Sequence, residues 1–188
     1  MTICMSDILC VTNRKLCKKD FLVRIEEIAR MNPAGIILRE KDLTQEEYKV
    51  LARDVIKICR KYGVPCILHH FTKVAKEWNI NAIHVSLPVL RAMTEEEKKA
   101  FTILGASCHS VEDAIKAKEL GCTYIIAGHI FATDCKKNIP PRGLEFLRQV
   151  CHAVDIPVYA IGGVNAENME LVKEAGAAGG CMMSGFMQ

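Results

Sequence analysis

Eight short, nearly continuous apolar runs, separated mostly by segments of helical character, limit this chain to very few folds. The runs are 8–11, 35–38, 65–68, 82–85, 102–106, 123–127, 157–161 and 179–183. A strand with one face in water alternates apolar and polar residues. A run that is apolar throughout predicts a strand covered on both faces, as in a parallel sheet. Segment 18–30 carries Phe21, Leu22, Ile25, Ile28 and Ala29 on one helical stripe. Segment 44–62 opens with Thr44 and Glu47 at capping-box spacing. Segment 110–120 runs from the cap residue Ser110 to the stop at Gly121. Segments 144–154 and 165–175 repeat the theme, the second stopped by Gly176, and 94–100 is a short helix.

Alternation of this kind belongs to the α/β class, with a parallel sheet either open and doubly wound or closed. The expected form is a single (β/α)8 TIM-type barrel over residues 1–188, with no linker or repeat dividing it. Such barrels usually need about 250 residues, so loops must be short and one element reduced. After the last run only 184–188 remain, which predicts a reduced or missing final helix. Apolar barrel surface left bare there would favour a homodimer.

Charge excludes several partners. With 25 basic and 22 acidic residues the formal charge is +3, and no basic block suggests nucleic-acid binding. No run reaches the roughly 18 apolar residues of a membrane span. Residues 1–10 lack the basic start and small-residue cleavage site of a leader, so a cytoplasmic location is expected. The ten cysteines include no Cys-x-x-Cys pair and several sit inside apolar runs. They read as reduced, buried small hydrophobes and not as zinc ligands.

In a barrel of this type the residues following each strand form the site. Here these are Arg39, Glu40 and Lys41 after the second run, then His69 and His70, then His84 and Ser86. Ser107, Gly128 and His129, Gly162 and Gly163, and Ser184 and Gly185 complete the rim. Glycines let backbone N–H groups approach an anion, and barrels often hold phosphate on the loops after strands seven and eight. Gly162, Gly163, Ser184 and Gly185 are therefore candidates for phosphate binding, although glycine pairs also serve tight turns. Adjacent strand residues point opposite ways, so at most one of His69 and His70 faces the site. His84, His109 and His152 read as structural.

From Val11 to Gly185 the chain resembles the thiamine-phosphate synthase and TenI superfamily. The matching motifs are Leu38-Arg39-Glu40-Lys41, Gly105-Ala106-Ser107-Cys108-His109-Ser110 and Ala160-Ile161-Gly162-Gly163. The most specific runs from Gly128-His129 through Thr133-Asp134-Cys135-Lys136-Lys137. Synthases have Gly-Pro-x-Phe-x-Thr-x-Thr-Lys there, whereas histidine after the glycine resembles the TenI branch, known for thiazole tautomerase activity. The synthases also bind magnesium through an aspartate in Asn-Asp-Arg and another in Gly-Gln-Glu-Asp. The corresponding stretches here are His69-His70-Phe71 and Ser86-Leu87-Pro88-Val89, which lack both carboxylates.

The resemblance thus implies an isomerase that aromatises a small phosphorylated thiazole carboxylate, with no cofactor. His129 would be its catalytic acid/base, against a purely structural hydrogen bond. Arg39 and Lys41 match pyrophosphate-holding residues of the synthases. Arg39 would bind a substrate carboxylate or pair with a strand-end acid. Ser107 would line the ligand or cap a helix, and Thr133 and Lys136 would contact its anionic end. Lys137 reads as solvated, and Cys135 as a loop or ligand-lining residue without a base to make it a nucleophile. Two alternatives stand beside this. One is a thiamine-phosphate synthase joining a pyrimidine pyrophosphate to a thiazole phosphate, the only case that calls for magnesium. The other is a non-catalytic regulatory binder of a phosphorylated ligand.

Overall fold

A computed structural model describes residues 4–188, with the Cys135 side chain outside the described set. The reading of residues 1–10 as lacking a leader falls partly outside those residues, and so does the role of the Cys135 thiol. Eight parallel strands close into a TIM-type barrel in chain order, β8 pairing with β1. They are β1 Ile8–Val11, β2 Gly35–Leu38, β3 Cys66–His69, β4 Ala82–Ser86, β5 Ile103–Cys108, β6 Tyr124–Gly128, β7 Val158–Ile161 and β8 Gly179–Met182. Each expected run is a strand, shifted by at most two residues at either end.

Around the barrel lie α1 Phe21–Arg30, α2 Gln45–Lys61, α3 Thr72–Glu77, α4 Leu87–Ala92, α5 Glu95–Lys99, α6 Val111–Glu119, α7 Gly143–Ala153, α8 Met169–Glu174 and α9 Ser184–Met187. Helix α1 starts three residues later than expected because the Asp20 side chain accepts the Val23 N–H and so fixes the cap. Helix α8 is shorter than expected because Asn165 folds back on the N–H groups of Glu167 and Asn168 in a turn. The expected final helix is a four-residue piece, α9. Its Phe186 and Met187 are buried, and the Phe186 carbonyl accepts from Arg24 of α1. Much of the apolar surface expected to lie bare is therefore covered by the chain itself.

Two apolar layers result. Strand residues facing outward, such as Ile36, Leu68, Ile83 and Ile125, pack against the helices. Those facing inward, including Leu9, Val11, Ile37, Ile67, Ile126 and Cys181, fill the barrel. Cys10, Cys59, Cys108, Cys122 and Cys181 are buried and unbonded, as expected, and burial pushes the Cys108 and Cys122 thiols up to about 12. Tyr48 of α2 does more than pack. Its hydroxyl donates to the Leu38 carbonyl at 2.7 Å and accepts the His69 N–H at 2.9 Å, tying together the rim ends of β2 and β3. Among the described residues no helix is long and apolar enough to cross a membrane.

Candidate functional site

A cavity of about 390 Å³ opens at the C-terminal ends of the strands. It gathers Arg39, Lys41, Ser107, His129, Thr133, Lys136, Gly162, Gly163, Ser184 and Gly185. His69 also lines it, whereas His70 has a positive φ of 71° and is exposed. Two histidines read as structural, His84 and His109, line it as well. Strand alternation explains them. His84 lies two residues after the inward Ala82, and Ser107 and His109 continue the face of Ile103.

The acids beside Arg39 and Lys41 are committed elsewhere. Glu40 is buried, accepts from the Thr12 hydroxyl at 2.7 Å and from the Arg14 N–H at 3.1 Å, and pairs with the Arg14 guanidinium at 3.1 Å. Asp42 accepts both Arg14 amino groups, at 2.7 and 2.8 Å, and pairs with Lys15 at 3.0 Å. This holds the Asp42 carboxyl well below the usual range. The strand-end acid that could have neutralised Arg39 is therefore taken by Arg14. Burial and the nearby Arg39 charge lower the Lys41 pKa.

His84 is the centre of a buried polar chain. Its Nδ1 lies 3.0 Å from the Tyr124 hydroxyl and its Nε2 lies 2.8 Å from the Ser107 hydroxyl. Burial, then the positive charge of Lys41, push its pKa down to about 3. Neutral imidazole has one N–H, so it donates to one hydroxyl and accepts from the other. The Tyr124 ring fits only because residue 105 is glycine, where a Cβ would stand 2.1 Å from the ring's Cζ. His69 stacks on His84 with ring centres 6.1 Å apart, and burial with the His84 and Lys41 charges brings it too to about 3.

The loops after β6 and β7 interlock. Ile130 and Phe131 donate N–H groups to the Ile161 and Gly162 carbonyls at 2.9 and 3.0 Å. Gly162 and Gly163 have φ of +95° and +66°, and Cβ atoms there would meet His129 Cβ at 2.3 Å and the Ala132 carbonyl at 2.5 Å. Their N–H groups donate to no backbone carbonyl among the described residues. Ser184 and Gly185 open α9, where N–H groups lack intrahelical partners. His129 is buried at the cavity edge and its Nε2 donates to the Ile139 carbonyl at 3.2 Å, bracing the loop that carries Thr133 and Lys136. His109 donates through Nδ1 to the Gly128 carbonyl at 2.9 Å. Lys137 pairs with Asp134 at 3.2 Å on the surface, as a solvated lysine would.

The family described as thiamine monophosphate synthase matches residues 8–186. The chain belongs to that family. A thiamine-phosphate synthase of Clostridium tetani is 34% identical over 180 residues, covering 93% of this chain and 84% of that protein. One of Caldanaerobacter subterraneus is 36% identical over 183 residues, covering 94% and 84%. A solved thiamine phosphate pyrophosphorylase from Pyrococcus furiosus superposes with a TM-score of 0.82 at 27% identity, covering 96% of this chain and 87% of that one.

These relatives overturn the isomerase expectation. Thiamine monophosphate synthase family members 31–36% identical to this chain carry the transferase name. The features that suggested a tautomerase are local, confined to position 129 and to the strand ends after β3 and β4. The likeness to synthases extends through the whole barrel. The proton-shuttle role expected of His129 loses the reaction it was to serve.

Magnesium, implied by the family's synthases, does not fit this rim. No Asp or Glu lines the cavity, and among the described residues no cluster of His, Cys, Asp and Glu could hold a metal. The rim offers imidazole, ammonium and guanidinium groups, whereas magnesium takes carboxylate and water oxygens.

Proposed function

We propose that this chain is a thiamine-phosphate synthase, a transferase joining a pyrimidine methyl diphosphate to a thiazole phosphate. The observation that carries this reading is a single cavity with two separate anion-receiving sets. One set is the glycine loops after β7 and β8, with Gly162, Gly163, Ser184 and Gly185. The other is cationic, with Arg39 and Lys41 after β2, while Lys136 stands across the barrel on the β6 loop that interlocks with the Gly162 loop. A reaction between two phosphorylated substrates needs two such sets in one chamber.

In the transfer, the thiazole nitrogen attacks the carbon bearing the diphosphate. The C–O bond breaks, and pyrophosphate leaves with the bonding electrons. The backbone N–H groups of Gly162 and Gly163 hold the thiazole phosphate, which fixes its ring nitrogen over the cavity floor. Arg39, Lys41 and Lys136 receive the charge that develops on the departing diphosphate. Thr133 adds a hydroxyl on the same loop as Lys136. Ser107, oriented by neutral His84, offers the floor a polar contact to a heteroaromatic ring. Relatives of 34% and 36% identity that carry the synthase name support the choice of substrates.

The test is incubation of the purified protein with both substrates, followed by chromatographic measurement of thiamine phosphate and pyrophosphate. Equimolar formation of the two is expected, with an Arg39→Gln variant slower by about tenfold or more. Absence of both products, with and without added divalent ions, refutes the assignment.

A further inference from the structure

A diphosphate ester brings several negative charges, and the new charge on its leaving oxygen must be met as the C–O bond breaks. A divalent ion held by carboxylates is one way to meet it. This rim has no such carboxylates, but it has something else in quantity. Arg39, Lys41 and Lys136 all line the cavity, and the acids nearest each along the chain are occupied. Glu40 is taken by Thr12 and Arg14, Asp42 by Arg14 and Lys15, and Asp134 by Lys137. Among the described residues, none of the three cations has a carboxylate within ion-pair distance.

Cations that share a cavity without counter-charge repel one another, and an anion between them relieves that repulsion. Burial, and after it the neighbouring Arg39 charge, lowers the Lys41 pKa. The wall beside them is neutral, since His69 and His84 are held uncharged. A divalent cation entering here would meet positive side chains and no carboxylate ligands. It would also cancel part of the negative charge for which the three cations are arranged.

We propose that this chain binds its diphosphate as the metal-free anion, with Arg39, Lys41 and Lys136 together replacing the divalent ion. The identity of the ligand rests on the transferase reading, while the metal independence rests on the arrangement of charges. In the transfer itself the electron pair of the broken C–O bond goes to the diphosphate oxygen. The thiazole nitrogen supplies the pair for the new C–N bond, and no proton or metal enters the balance.

The experiment is calorimetric titration of the wild-type protein with inorganic pyrophosphate at pH 8, first in EDTA and then in excess magnesium chloride. Binding in EDTA is expected, weakening when magnesium sequesters the pyrophosphate. Lys41→Met and Lys136→Met should each weaken binding in EDTA by about tenfold or more. Pyrophosphate binding that appears only with magnesium overturns the proposal. Turnover of both substrates separates this idea from the one beneath it. Thiamine phosphate formed in EDTA supports both. Product formed only with magnesium sinks metal independence and leaves the transferase standing. Metal-free pyrophosphate binding with no product under any condition supports the charge arrangement and removes the transferase.

Discussion

Lowering the pH from 8 to 5 should cost this protein about 4 kcal/mol of stability through His69 and His84 alone, about 2 kcal/mol from each. Both are pushed down to about 3 in the folded protein, chiefly by burial, and the unfolded chain returns them to about 6.5. The folded values are the lower ones, so as pH falls the unfolded chain takes up protons first. Stability is therefore full above about pH 6.5 and declines until about pH 3, where the folded protein begins to protonate as well. At pH 5 an unfolded histidine is protonated about 30-fold over neutral, which gives the 2 kcal/mol for each. Urea denaturation followed by the fluorescence of Trp78, the single tryptophan, measures this at both pH values. Carboxylates and other histidines also titrate in this window, so the informative quantity is a difference between proteins. His84→Asn should remove about half of the pair's pH-dependent loss. Any cost of leaving the Tyr124 hydroxyl unpaired is present at both pH values and cancels. A variant with the same pH dependence as the wild type would refute the idea that the rim keeps a neutral imidazole.

Gly105→Ala should destabilise the protein by about 1–3 kcal/mol, because the new Cβ would lie 2.1 Å from Tyr124 Cζ. Thermal melts should show that cost shrinking in a Tyr124→Leu background, where the ring is gone, and equal costs in both backgrounds would sink the packing explanation. Tyr48→Phe deletes the hydroxyl joining the Leu38 carbonyl to the His69 N–H, both in buried surroundings. Urea titration should register a loss of about 1–3 kcal/mol, and an unchanged midpoint would mean that water replaces the bridge.

Much of the barrel is legible in the sequence because both faces of each strand are covered, so the apolar runs stand out against helices with one wet face. The strands end later than the runs suggest where a neighbour extends the ladder. Ser107, for example, pairs with Ser86 and belongs to β5, although it is polar. Two helices were not legible. Helix α3 is six residues long and has no side-chain cap. Helix α4 carries Pro88, which reads as a breaker but occupies the first turn, where a missing N–H costs nothing. Counting residues after each run found Arg39, Lys41 and the glycine loops. It reached His84 at the rim, but His84 and His109 read as structural because position after a strand says nothing about which face a side chain takes. Counting by twos from the inward residues finds them: Ile37 leads to Arg39, Ile67 to His69, Ala82 to His84, and Ile103 through Gly105 and Ser107 to His109.

The same alternation sets neutral rings beside the rim's cations. Inward positions at the ends of β3 and β4 face the same chamber as Arg39 and Lys41. An acid placed there would draw those cations away from a phosphorylated ligand unless a metal ion engaged it first. Histidine at both positions avoids that competition, since burial keeps each ring uncharged. The neutral ring still supplies a donor and an acceptor, which His84 uses to join Tyr124 to Ser107. Arg14 completes the arrangement from outside the cavity. It holds Glu40 and Asp42, so the cations that alternate with them along the chain face the chamber without internal partners. Replacing Arg14 should therefore impair anion binding from a distance, by releasing two acids to compete for Arg39 and Lys41.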